Sequence, residues 1–110
     1  MTNKLNLKKS IELYNEGLEC GNKKDFESAA DFYLKAINLN PEFFQAYYNL
    51  GNIKKNSGDL KNAVTYYEKS ITIKSDFINA YYNLGNTLKM LGELDEAEKN
   101  FNKVLNILLF

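Results

Sequence analysis

The chain has 110 residues, of which 45% are hydrophobic and 25% are charged, so it is long enough for one small domain and too apolar to be disordered. Its fourteen basic residues, all lysine, balance fourteen acidic residues, and this balance argues against a nucleic-acid partner, which would favour a basic excess. No apolar run approaches the roughly 18 residues that a membrane-spanning helix needs, and the amino terminus has no apolar signal-peptide segment.

A repeated stretch organises the chain. Residues 46–52 read Ala-Tyr-Tyr-Asn-Leu-Gly-Asn, and the same seven residues return at 80–86, which is 34 positions later. A period of this length indicates a solenoid, whose units must stack to bury their apolar faces. We therefore predict one domain with units at 10–43, 44–77 and 78–110, preceded by residues 1–9 as an extension of the first helix or a flexible segment.

Each unit is predicted to form two helices, because apolar residues recur at three-and-four spacing on either side of a turn. Three positions keep their chemistry from unit to unit: a glycine in the first helix, an alanine in the second and an aromatic ring four residues after it. Such small residues beside a ring indicate that the two helices cross closely. The three sets are Gly17, Gly51 and Gly85; Ala29, Ala63 and Ala97; and Tyr33, Tyr67 and Phe101.

The turns are read in chain order from their capping residues. Between the helices of the first unit stands Lys24, where the later units have glycine, so we expect a turn of different shape there. Asn40–Glu42 is expected to cap the second unit, with its proline at the first helical position. Ser57–Asp59 supplies a glycine turn and a helix cap, and Gly92 repeats that turn. Ser75–Asp76 is expected to cap the third unit.

Over residues 10–110 the chain resembles the tetratricopeptide repeat family, which is identified by an aromatic residue, Leu-Gly, a further apolar residue, a small alanine, a second aromatic residue, another alanine and a proline at set spacings. One departure is Glu16, where leucine is usual. The resemblance implies an all-α solenoid of three helix-turn-helix repeats, a right-handed superhelix whose first helices line a concave groove. The matching residues are Gly17, Ala29, Tyr33, Ala36 and Pro41; Tyr47, Leu50, Gly51, Ala63 and Tyr67; and Tyr81, Leu84, Gly85, Leu88, Ala97 and Phe101.

On that fold, ten residues of the first helices are expected to face the groove and bind peptide. An asparagine side chain both donates and accepts, so it can hold the backbone of an extended peptide, and tyrosine offers flat apolar area with a polar tip. The alternative is that the asparagines are merely solvated and the tyrosines pack between neighbouring helices. The residues are Tyr14, Asn15, Tyr48, Asn49, Asn52, Lys55, Tyr82, Asn83, Asn86 and Lys89.

The favoured function is a protein-interaction module, a scaffold or adaptor that binds an extended peptide of a partner protein. An alternative is the substrate-recruiting region of a larger modifying enzyme, because the asparagine ladder resembles that of repeats attached to O-linked glycosyltransferases. Family members that clamp the terminal carboxylate of a heat-shock protein tail use lysine, arginine and asparagine. Only Asn49 fits that clamp here, so we reject it; the matching positions hold Tyr14, Leu18, Asn49, Asn79 and Asn83.

Catalysis, metals and cofactors are not expected. The chain has no histidine, and Cys20 lies at an apolar helix position without a base to activate it. A cysteine that cannot form an internal disulfide favours a reducing compartment, so we expect a cytoplasmic protein. The acidic residues near Glu93 lie at the start of a helix, where the helix dipole and solvent account for them.

The carboxyl end is more apolar than a terminal repeat should be. We expect this surplus to be exposed or covered by something else, and three explanations compete. Truncation from a longer protein is favoured, homodimerisation through the last helix comes second, and folding of the helix tip onto the third unit is third. The residues of this self-association candidate are Leu105, Leu108, Leu109 and Phe110.

Overall fold

A computed structural model describes residues 2–110, and this part of the chain forms six α-helices and no strand. The prediction of an all-α helical repeat is therefore confirmed. Residues 4–9 lie in the first helix and extend it beyond the repeat frame. The helices are α1 (Lys4–Asn22), α2 (Phe26–Leu39), α3 (Phe44–Asn56), α4 (Leu60–Ile73), α5 (Ile78–Met90) and α6 (Leu94–Leu109).

The turns inside the three units share one backbone geometry. Gly58 and Gly92 have φ angles of 86° and 82°, and Lys24 has a φ angle of 63°. In each turn the amide of this residue donates to the carbonyl oxygen three residues earlier. The expectation of a different shape in the first unit is wrong, because the same helix-pair geometry holds a lysine in the left-handed conformation that glycine adopts at little cost.

The caps between units differ from those expected. The α3 helix is preceded by Phe43, so Pro41 lies in the turn and not at the first helical position; Asn40 ends α2. Similarly, Phe77 precedes α5, and the Ser75 carbonyl oxygen accepts a hydrogen bond from a tyrosine of that helix. Neither N-terminal cap makes a side-chain hydrogen bond, because a packed aromatic residue stands there instead. The predicted cap at Asp59 is confirmed, since its carboxylate accepts from the Asn62 amide.

Close helix crossings hold each unit together, as the repeated glycines predict. A Cβ atom on Gly17, Gly51 or Gly85 would lie 2.6 Å from a ring carbon of the second helix of the same unit. The buried core runs through these crossings and between units, in two clusters. The first contains Ala29, Tyr33, Ala36, Phe43, Ala46 and Leu50, and the second contains Ala63, Tyr67 and Leu84.

Candidate functional site

The ten predicted groove residues lie on α1, α3 and α5, at equivalent positions of the three units. We call the surface that carries them the inner face. Asn15, Tyr82 and Lys89 are exposed, and 54% of the Tyr82 surface is open to solvent. The seven others are half-buried: Tyr14, Tyr48, Asn49, Asn52, Lys55, Asn83 and Asn86.

Two of the inner-face asparagines bind the preceding unit. The Asn49 amide donates to the Tyr14 hydroxyl at 3.0 Å. The Asn83 amide donates to the Tyr48 hydroxyl at 3.0 Å and to the Asn52 side-chain oxygen at 2.9 Å. These bonds connect residues more than 30 positions apart, so they fix the stacking of one unit on the next. The donor groups of Asn49 and Asn83 therefore serve the repeat contact.

The tyrosines at equivalent positions pack against aromatic rings of their own unit and of the following cap. The Tyr14 ring lies 4.7 Å from the Phe43 ring, and the Tyr48 ring lies 4.9 Å from the Phe77 ring. Burial raises the pKa of Tyr14, and the hydrogen bond from Asn49 lowers it in part. The Tyr82 ring lies 6.1 Å from the Phe101 ring, and more than half of the Tyr82 surface is open to solvent.

Five inner-face side chains make no hydrogen bond or ion pair within residues 2–110. They include two amides, two ammonium groups and one phenol, so they can donate to, and in part accept from, a ligand backbone. All lie on α1, α3 or α5, at positions that recur between units. They are Asn15, Lys55, Tyr82, Asn86 and Lys89.

A cavity between α1, α2 and α3 is lined by Asn49 and Asn52, which were predicted as groove residues, and by others that the sequence did not single out as a site. It has a volume of about 170 Å³ and is lined by apolar side chains, asparagines and one buried tyrosine. The sequence signal that could have indicated this cavity is that the first unit differs from the other two at Leu18, Gly21 and Phe26. Its lining includes Leu18, Gly21, Asn22, Phe26, Tyr33, Ile53 and Asn56.

The carboxyl-terminal residues of α6 are exposed, and they do not fold back onto the third unit. Leu109 has 73% of its surface open to solvent, and Phe110 is fully exposed. Leu105 and Leu108 lie on the same helix and are also more than half exposed. The predicted surplus of apolar surface is therefore present as an open patch.

Within residues 2–110, no group of three or more histidine, cysteine or acidic side chains is arranged to hold a metal ion. None of the six helices combines the length and the apolar character needed to cross a membrane. Cys20 is half-buried and packs against the first core cluster, as a small apolar residue would.

Comparison with known families agrees with this geometry. A family model described as "Tetratricopeptide repeat" matches residues 42–109, and a second, described as "TPR repeat", matches residues 17–58. The first alone covers more than half of the chain. The chain belongs to the tetratricopeptide repeat family. As a repeat array of this family with an open inner face, it is a protein-interaction module.

Among known sequences, the chain is 46% identical over 44 residues to an uncharacterised protein of Methanocaldococcus jannaschii, covering 40% of this chain and 51% of the relative. It is 49% identical over 45 residues to the photosystem I assembly protein Ycf3 of Acaryochloris marina, covering 41% of this chain and 27% of the relative. The matches thus span at most about half of each relative's length.

Solved structures share the whole fold. The crystal structure of MamA superposes with a TM-score of 0.86 and 35% identity, over 89% of this chain and 57% of that one. The first tetratricopeptide domain of Spaghetti (RPAP3), bound to the HSP90 peptide SRMEEVD, gives a TM-score of 0.87 at 20% identity, over 92% of this chain and 80% of that one. The second domain, bound to the same peptide, gives 0.88 at 19% identity, over 94% and 95%.

Proposed function

We propose that the inner face binds an extended peptide segment of a partner protein, so that the chain works as a scaffold or adaptor. One observation carries the proposal: at recurring positions of the inner face, two amides, two ammonium groups and one phenol are left unused by repeat packing. Asn86 and Lys89, three residues apart on α5, present a donor-acceptor group beside a cation. An extended backbone needs such groups at regular spacing.

The Spaghetti domains bind a peptide on the same fold, which supports a peptide ligand here. That peptide ends in acidic residues, and the residues at the carboxylate-clamp positions of this chain do not provide a cationic clamp. Tyr14, Asn79 and Asn83 stand where a charge-assisted hydrogen bond to a carboxylate would need a cation. The proposed partner is therefore an internal segment of a protein and not its acidic carboxyl terminus.

The charge of the inner face further limits the kind of peptide that we expect it to bind. Its charged members are two cations, Lys55 on the second unit and Lys89 on the third. A peptide with a neutral half and a mildly acidic half would match this distribution. The attraction between exposed charges is small and falls with salt, so the neutral contacts decide the specificity.

The test is a peptide array probed with the wild-type chain, followed by affinity measurements on captured peptides. In one variant Asn86→Ala and Lys89→Ala are combined; neither side chain supports a hydrogen bond within residues 2–110, so folding is expected to be unaffected. Each lost neutral hydrogen bond is expected to weaken binding by about 1 kcal/mol. The matched control combines Asn102→Ala and Lys103→Ala on exposed positions of α6. Equal binding by wild type and inner-face variant contradicts the proposal.

The recruiting role for a larger modifying enzyme stays a prediction. It requires the same inner face together with a nucleotide-sugar-binding domain in one polypeptide. Sequencing of the gene product distinguishes this role from an adaptor, since further repeats without such a domain contradict it.

A second candidate function is self-association through α6, which the open apolar patch favours. The opposite end of the array is unsuited to cover this patch. The α3 helix packs on α2 through Ala46, Leu50 and Ile53. The equivalent positions of α1 are Glu12, Glu16 and Glu19, and all three are exposed. A head-to-tail contact would bury Glu12 and Glu16, which make no ion pair within residues 2–110, at a high cost. Two copies would therefore pair α6 against α6.

Sedimentation across a concentration series tests this second candidate. We expect a wild-type dimer, a monomer for Leu109→Lys, and an unchanged dimer for Asn102→Lys, which adds the same charge at another exposed position of α6. A monomeric wild type at all concentrations excludes self-association and leaves the inner-face proposal intact.

A further inference from the structure

The cavity between α1, α2 and α3 lies in the inner face, at the step from the first unit to the second. Its volume is about 170 Å³, and no charged side chain lines it. Leu18 and Phe26 contribute apolar surface although both remain partly open to solvent, with 47% of the Phe26 surface exposed. Four asparagines of α1 and α3 also line it: Asn22, Asn49, Asn52 and Asn56. The site is thus an open, uncharged, mainly apolar pocket.

Three departures of the first unit from the other two come together at this pocket. Leu18 stands where the second unit has Asn52, and Gly21 stands where it has Lys55. Phe26 replaces a leucine at the start of the second helix. Each change removes a polar or charged group or adds apolar surface. The first of these departures also removes a hydrogen-bond acceptor.

That acceptor matters for Tyr33. In the second unit the equivalent Tyr67 hydroxyl donates to the Asn52 side-chain oxygen. Leu18 cannot accept. Burial raises the pKa of Tyr33 and a contact with the Asn49 side chain lowers it in part, but no acceptor for the hydroxyl proton is found within residues 2–110. Only 4% of Tyr33 is exposed, yet this side chain lines the pocket. The hydroxyl oxygen lies 3.9 Å from the point that a Cβ atom on Gly21 would occupy, so the missing side chain opens access to it.

We propose that this pocket binds one uncharged apolar residue of a partner peptide. The side chain rests against Leu18 and Phe26, and a backbone carbonyl oxygen accepts the hydrogen bond that Tyr33 is free to donate. A charged side chain would lose its hydration without meeting an opposite charge, so it is excluded. This inference rests on the proposed peptide-binding function and adds the chemistry of the anchor residue.

The test uses capped single residues, so it does not depend on knowing the partner. N-acetyl-leucine methylamide and N-acetyl-aspartate methylamide are titrated separately into the full chain, and binding is followed by NMR. We expect the leucine probe to shift the signals of Leu18, Gly21, Phe26 and Ile53, and the aspartate probe to leave them unchanged. Equal shifts with both probes, or shifts spread over the whole chain, overturn the inference.

Two variants restore the chemistry of the second unit. Leu18→Asn supplies Tyr33 with an acceptor, and Gly21→Lys fills the entrance with a charged side chain; each is expected to weaken leucine-probe binding about tenfold. Tyr33→Phe removes the donor and is expected to weaken it about fivefold. Phe101 occupies the equivalent position in the third unit, so phenylalanine fits there. Unchanged probe affinity in Leu18→Asn overturns the inference.

The matched control is Tyr67→Phe, which removes the equivalent hydroxyl from the second unit. It is expected to leave leucine-probe binding unchanged, and an equal loss in both tyrosine variants would point to a general loss of packing and overturn the inference. The result also separates the two proposals. Peptides that bind the inner face without an apolar anchor keep the proposed function and overturn the pocket. Leucine-probe binding without any peptide capture keeps the pocket and overturns the proposed peptide-binding function.

Discussion

The ring of Tyr67 lies 2.6 Å from the point that a Cβ atom on Gly51 would occupy. Side-chain and ring atoms do not approach each other so closely, so the second unit can close its two helices only with glycine at this position. The ring is fully buried and its hydroxyl donates to Asn52 on the inner face. The close crossing therefore positions an inner-face residue as well as the core.

Replacing Gly51 with alanine is expected to destabilise the chain by about 1 to 3 kcal/mol, because the added methyl group forces the Tyr67 ring to move within a packed core. Urea denaturation measures the change. Gly21→Ala is the control: its Cβ atom would meet only the Tyr33 hydroxyl at 3.9 Å. That variant is expected to be neutral or more stable by up to about 1 kcal/mol, since alanine favours the helix over glycine. Destabilisation of both variants by the same amount would contradict this explanation.

Replacing Lys24 with glycine is expected to stabilise the chain. Lys24 has a φ angle of 63°, a conformation that costs a non-glycine residue roughly 1 to 2 kcal/mol. Glycine removes that cost but gives the unfolded chain more freedom, which leaves a net gain of about 0.5 to 1 kcal/mol. Thermal and urea unfolding measure it. The complementary variant Gly58→Lys, at a φ angle of 86°, should lose stability. A Lys24→Gly chain less stable than wild type contradicts the argument.

The turn at Lys24 also shows where sequence reasoning succeeded and where it failed. The repeat period was sufficient to predict six helices and the crossing glycines, because each unit must satisfy the same packing. The conformational preferences of single residues gave wrong predictions at two places. Lys24 adopts the glycine conformation because the helix pair imposes it, and Pro41 lies in a turn because the buried Phe43 determines where α3 starts.

The inner face could be located from the repeat frame, but the use of each side chain could not. Asn15, Asn49 and Asn83 are equivalent in sequence, yet within residues 2–110 only the last two make a hydrogen bond to a preceding unit. Whether an asparagine serves a neighbouring helix or a ligand depends on contacts across 35 residues, which no local pattern records. In the sequence, the first-unit pocket is indicated only by Leu18, Gly21 and Phe26, which depart from the repeat.

Asn83→Ala is expected to destabilise the stack more than Asn49→Ala. Asn83 donates two inter-unit hydrogen bonds and Asn49 donates one. At about 1 kcal/mol for each bond, the expected losses are about 2 and about 1 kcal/mol. Urea denaturation gives the free energies, and hydrogen exchange should show faster opening of α5 and α6 in Asn83→Ala. Asn15→Ala is the control, since its exposed side chain makes no such bond, and it should be neutral. Equal losses for all three variants would contradict the repeat-locking role.

The chain is expected to lose stability at alkaline pH through its buried tyrosines. Burial raises the pKa of Tyr33 to about 12 and raises the pKa of Tyr67 still further, while an unfolded tyrosine titrates near 10. The folded chain therefore holds these protons where the unfolded chain releases them, so the stabilising contribution is complete below about pH 10 and falls as the pH rises above it. Each tyrosine contributes a slope of up to about 1.4 kcal/mol per pH unit between the two pKa values.

Urea midpoints at pH 9 and pH 11 measure this loss of stability. Tyr67→Phe, which cannot ionise, should lose less stability over this interval than the wild type, although it starts lower because the bond to Asn52 is absent. The same decline in both chains would contradict a role of the Tyr67 hydroxyl in the alkaline instability.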